Sequence, residues 1–170
     1  MVLFGFVPEL ESQQYFQQEV NFRIEVTLNH KKHELSAFES IEYISNSPNK
    51  LEFLYFHLWP NAYSSNRSAL AKQIFSMNGK SKLFNDPVLN GYIDSLDFSV
   101  DGQSLRWQLL PETSDICQIW LNKALMPGDT IIITTPFHVK IPEGVTSRLG
   151  HIGESYQISQ WFPKPAVFDC

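Results

Sequence analysis

Val20, Phe22, Ile24, Val26 and Leu28 alternate with Asn21, Arg23, Glu25 and Thr27, the period-two pattern of a strand with one wet face. A one-residue slip would turn the whole apolar set to water. Val20, Phe22, Ile24 and Val26 are therefore expected on one buried face. A polar turn, Asn29 to His33, leads into a second alternation through Leu35, Ala37, Ile41 and Tyr43. After the Asn46-Ser47-Pro48-Asn49-Lys50 breaker, residues 51–59 run apolar on both faces, which suggests a buried third strand of an antiparallel meander.

Residues 64–78 are the one stretch with helical spacing, set by Leu70, Ile74 and Met77. Ser64, Ser65 or Asn66 can cap it and Gly79 can end it. Strand patterns return at residues 92–100, and Asp101-Gly102 predicts a hairpin into Leu105, Trp107 and Leu109. Residues 116–121 and 130–141 follow, joined through Met126-Pro127-Gly128-Asp129, a turn of the type II kind. Short strands at intervals of roughly 8–12 residues spell an all-β chain, an antiparallel β-sandwich or saddle-like open sheets with one short helix inserted.

With 170 residues, 43% hydrophobic and 18% charged, the chain can build one core and is too short for a linker-joined pair of domains. Residues 1–16 hold an apolar burst, Val2 to Val7, that reads equally as a clipped signal remnant or a short edge strand; residues 17–170 are the β-domain. A formal charge of −5 with no basic stripe argues against nucleic acid. The apolar runs fall short of the roughly 18 residues that span a bilayer. Cys117 and Cys170 lack zinc-knuckle spacing. The apolar leader and the low cysteine count lean towards a periplasmic or secreted setting, while the two cysteines themselves report neither compartment nor metal.

Catalytic signatures are absent: no phosphate loop, no G-x-S-x-G elbow and no Cys-x-x-Cys. His33-Glu34 opens like H-E-x-x-H, but Ala37 stands where the second histidine belongs and the segment alternates as a strand. The five histidines are scattered, so a metal site would have to be assembled across strands. Glu39 and Glu42 fall on opposite faces of their strand. Residues 147–170 are rich in Gln, aromatics and Pro, and show no closing strand or turn. Tyr156, Trp161 and Phe162 could stack on a carbohydrate or simply pack between sheets.

Four segments together resemble one family: the alternating strand after Tyr15-Phe16-Gln17-Gln18, His57-Leu58-Trp59-Pro60-Asn61-Ala62, Leu125-Met126-Pro127-Gly128-Asp129, and Gln157-Ile158-Ser159-Gln160-Trp161-Phe162-Pro163-Lys164-Pro165-Ala166-Val167-Phe168-Asp169. The last is the most specific. They resemble the N-terminal domain of zinc metallopeptidases of the aminopeptidase N family, from about Tyr15 to Cys170. The resemblance implies a saddle-shaped, non-catalytic domain that packs on a thermolysin-like domain. That following domain carries the zinc, its H-E-x-x-H ligands and the G-x-M-E-N loop, none of which occurs in these residues. The expectation is thus a fragment without peptidase activity or cofactor of its own, whose partners are its catalytic domain and a peptide substrate.

In that family a Gln of this domain reaches the cleft and binds the substrate's free α-amine. Gln160 matches it, with Gln157 the lesser claimant. Many members carry a Glu two residues later; here the position is Phe162, whose bulk suits the pocket for the first substrate side chain. Two other readings stand beside this one: a free-standing β-sandwich binding module for carbohydrate or protein, and a structural domain with no ligand.

Overall fold

The computed structural model describes residues 17–78, 84, 86–111, 113–144 and 148–167. The apolar leader, Gly79, Phe168, Asp169 and Cys170 lie outside them. The strands are β1 (Glu19–Asn29), β2 (Glu34–Ile44), β3 (Leu51–His57), β4 (Tyr92–Asp94), β5 (Ser99–Val100), β6 (Gln103–Ser104), β7 (Trp107–Leu109), β8 (Ile116–Leu125), β9 (Thr130–Lys140), β10 (Leu149–Ile152), β11 (Ser155–Ile158) and β12 (Lys164–Pro165). The α-helix α1 (Ala69–Asn78) and the short 3₁₀ turns Trp59–Tyr63 and Pro87–Leu89 interrupt them. No helix among the described residues is long and apolar enough to cross a membrane.

The strands pair antiparallel into open sheets. One runs β1-β2-β9-β5-β6 with β4 also on β9, a second runs β12-β3-β8-β7, and β10 and β11 form a separate hairpin. The side chains of Ile41, Tyr43, Ile133, Phe137 and Val139 from the first sheet share a core with Leu54, Phe56, Cys117 and Ile119 from the second. Phe98 joins them, its ring centroid 5.1 Å from Phe56 and 5.8 Å from Trp107. This is the sandwich-like, all-β arrangement that the alternation implied.

Local chemistry sets the turns. Asn29 Oδ1 accepts from the N–H groups of Lys31 and Lys32, both at 3.2 Å, closing the β1–β2 connection. Asp101 and Gly102 sit at φ 50° and 75°, as the primed hairpin turn between β5 and β6 requires. Gly128 at φ 83° follows Pro127, and the Asp129 N–H donates to the Met126 carbonyl at 3.0 Å, a type II turn.

Several expectations are corrected. Val20, Phe22, Ile24 and Val26 do share a face, but Phe22 and Val26 remain 40% and 49% exposed, because among the described residues β1 is the last strand of its sheet and has no neighbour to cover its far half. β3 is buried on one face only, with Phe53 and Tyr55 exposed on the other. Residues 92–100 form two strands rather than one. Opposite the gap β9 pairs with β2 alone and holds Pro136, which has no N–H for a second ladder. Beyond the Asp101-Gly102 turn the hairpin ends at Ser104, and β7 crosses to the second sheet. The helix starts later than residue 64: Ser68, not Ser64, Ser65 or Asn66, accepts from the Ala71 N–H at 3.1 Å. The C-terminal stretch does carry regular structure, since β10 and β11 make a hairpin and β12 pairs with β3.

Candidate functional site

Pro60 opens a 3₁₀ turn over Trp59–Tyr63, where a missing N–H costs nothing. Asn61 then welds the turn to its surroundings. Its Oδ1 accepts from the Ile93 N–H at 3.0 Å, and its carbonyl accepts from Ser64 and Ser114 hydroxyls at 2.7 and 3.2 Å. The Ser68 hydroxyl donates to the Ala62 carbonyl at 2.6 Å, so the turn also fixes the start of α1. Gly91 donates to the Tyr63 carbonyl at 3.3 Å. A Cβ there would lie 2.5 Å from Pro142 Cδ and 2.9 Å from the Lys140 carbonyl, so only glycine permits this approach.

Against this support sits a cleft of about 400 Å³ walled by Trp59, Tyr63, Leu70, Asp115, Arg148 and Gln160 among others. Gln160 enters it from the end of the β10–β11 hairpin. The Ser159 N–H and hydroxyl both donate to the Arg148 carbonyl, at 2.9 and 2.8 Å. Gln160 itself adopts φ 53°, a left-handed conformation that a side chain other than glycine's disfavours. Arg148 Nη1 donates to Gln160 Oε1 at 2.7 Å. After Gln160 the chain is tied back at once: Pro163 is buried, β12 pairs with His57 and Phe56, and the Ala166 N–H donates to the Tyr55 carbonyl at 2.8 Å.

Of the three candidate substrate-binding residues, Gln160, Phe162 and Gln157, Gln160 alone is among the residues that line the cleft. Phe162 turns elsewhere, edge-on to Phe22 at 5.3 Å between centroids, with Lys164 Nζ 4.7 Å above its ring. Gln157 lies on β11 opposite Gly150 and is exposed. Trp161 packs on Phe137 at 5.7 Å. The cleft thus offers an amide whose oxygen keeps a second lone pair beside the Arg148 bond, one cation, one carboxylate (Asp115) and an aromatic wall.

Three features escaped the sequence. Arg148 and Asp115 join the cleft only through the fold. His33 and His151, 118 positions apart, stack with centroids 3.6 Å apart, and His33 Nδ1 meets the Tyr156 hydroxyl at 2.8 Å. Glu39 is 0% exposed on the inner face of β2, and neither of its oxygens has a hydrogen-bond partner among the described residues. Burial pushes its carboxyl up to about 9. Phe137 pairs with Ala37 and Phe22 with Ile41, so Trp161 and Phe162 rest on the neighbours of the two positions flanking Glu39. Only the alternation at Leu35, Ala37 and Ile41, which puts Glu39 on the apolar face, could have flagged it.

Among the described residues no three His, Cys, Asp or Glu side chains converge to hold a metal. No family model matches the chain, and no curated protein matches it.

Proposed function

We propose that this chain is the non-catalytic N-terminal β-domain of a zinc-dependent aminopeptidase, packing on a catalytic domain and contributing Gln160 to the subsite for the substrate's free amine. The observation that carries the reading is the placement of Gln160. This residue, the one to which the resemblance assigns the amine, stands in a left-handed conformation at the rim of a cleft, held between a β-hairpin and a strand that returns to β3. A backbone so constrained aims a side chain without the entropy of a free loop.

The amide suits an ammonium group. Its carbonyl oxygen accepts a hydrogen bond and brings no net charge that would compete for a metal. Arg148 orients that oxygen rather than exhausting it. Phe162, packed on Phe22, acts in this reading as a spacer between the Gln160 turn and β1 rather than as a wall of the cleft.

In this reading the zinc belongs to the catalytic domain proposed to follow; among the described residues no three His, Cys, Asp or Glu side chains gather to hold one. The carbohydrate-module reading draws less support, because Tyr156, Trp161 and Phe162 are engaged with His33, Phe137 and Phe22 instead of forming an open stacking face. The test is kinetic. Gln160→Ala in the protein that carries the catalytic domain should weaken recognition of free-amine substrates by about 1–3 kcal/mol, as expected for an ammonium left without a partner. Unchanged kinetics on aminoacyl substrates would overturn the assignment.

A further inference from the structure

β1 ends its sheet, and among the described residues nothing pairs with its outer edge. Its register with β2 runs without a bulge from Glu19 to Asn29, and it contains no proline. Such a long, regular open edge is a template for another strand. Natural edges are usually blocked by charge, and β1 does carry charges there: Arg23 and Glu25, with side chains 82% and 72% exposed. Their order decides which strand the edge accepts.

Laid antiparallel against a second β1 with a two-fold axis at Ile24, the strand is complementary to itself. Arg23 of each copy falls opposite Glu25 of the other. On the apolar face, Phe22 meets Val26, Val20 meets Leu28, and Ile24 meets Ile24. Asn21 faces Thr27 and Glu19 faces Asn29. No like charges oppose one another. The neighbouring registers that keep the faces matched do worse: an axis at Arg23 or at Glu25 sets like charges directly opposite, an axis at Phe22 sets Glu19 against Glu25, and an axis at Val26 forfeits both ion pairs. Shifts by one residue put apolar side chains on the polar face.

We propose that β1 is a homodimerisation edge, joining the six-stranded sheets of two copies through an antiparallel β1–β1 pair centred on Ile24. The pairing extends the half-exposed apolar face of Phe22, Val26 and Leu28, at 40%, 49% and 43% exposure, against its own copy. Arg23 Nη2, which lies 3.2 Å from Glu25 Oε1 in the single chain, exchanges that contact for the partner's Glu25.

Sedimentation equilibrium of the 170-residue chain tests this over a concentration series, with circular dichroism to confirm that each variant folds. Wild type should reach a reversible dimer and nothing larger. Arg23→Glu and Glu25→Arg should each weaken the dimer by about tenfold, because each turns two attractive cross-strand pairs into two repulsive ones. The double variant Arg23→Glu/Glu25→Arg restores opposite charges and should recover wild-type association. A wild-type chain that stays monomeric throughout, single variants that associate as wild type does, a double variant no tighter than the singles, or assembly beyond a dimer would each overturn the proposal.

Discussion

Arg148 and Gln160 close a clasp around the end of the β10–β11 hairpin: Nη1 of Arg148 donates to Oε1 of Gln160 at 2.7 Å, while the Arg148 carbonyl receives both donors of Ser159. The clasp holds Gln160 at φ 53°. Its two components, side-chain bond and backbone conformation, are separable by substitution. Gln160→Ala loses the bond and keeps the left-handed cost. Gln160→Gly loses the bond and relieves that cost. The glycine variant should therefore be more stable than the alanine variant by about 1 kcal/mol, read from urea unfolding of the two proteins. Equal stability would mean that the backbone there is not left-handed.

Glu39 gives the fold a pH dependence of known sign. Burial raises its carboxyl from the ordinary carboxylate range to about 9 in the folded chain, so the native state keeps a proton that the unfolded chain releases. Below pH 4.5 both states are protonated and Glu39 costs nothing by titration. As pH rises from 4.5 towards 9 the unfolded state ionises first and stability falls, by about 3 kcal/mol at pH 7. Denaturant unfolding of wild type and Glu39→Gln across this range should show a decline in wild type that the amide variant lacks. Parallel profiles would contradict the burial of an uncompensated carboxyl.

Cys117 is 0% exposed in the core, and burial pushes its thiol up to about 12. Both access and thiolate fraction are denied to a reagent. Alkylation followed by peptide mass spectrometry should leave Cys117 unmodified in the native protein and modify it fully in denaturant. Labelling of Cys117 under native conditions would place it outside the core.

The approach of Gly91 to Pro142 and Lys140 makes a further prediction. Gly91→Ala must displace backbone as well as a ring, since the added Cβ would lie 2.9 Å from the Lys140 carbonyl. A loss of about 2 kcal/mol is expected. The variant should also disturb the Tyr63 carbonyl contact that supports the cleft. Thermal unfolding at wild-type temperature would contradict it.

Strands were legible where a single face is buried by both neighbours. β2 and β9 sit inside their sheet, and the alternation at Leu35, Ile41 and Tyr43 reports their inner face directly. For β1 the same alternation gave the face but not its burial, because a pattern records which side is apolar and not whether a neighbour covers it. The turns at Asp101-Gly102 and Pro127-Gly128 were readable because their glycines are required by positive φ. The sequence does not mark Ser68 as the helix cap, because several serines precede α1 and only tertiary contacts choose among them. Gln160 was singled out through a resemblance, whereas Arg148, Asp115 and the stacked His33–His151 pair depend on long-range strand pairing that no local pattern encodes.

Whether a catalytic domain follows this one is read by sequencing the transcript from its native locus through the codon for Cys170 and onwards. The expected frame continues into H-E-x-x-H with a more distant Glu, the ligand set of a catalytic zinc domain. A stop codon directly after Cys170, or a continuing frame without that motif, would contradict it.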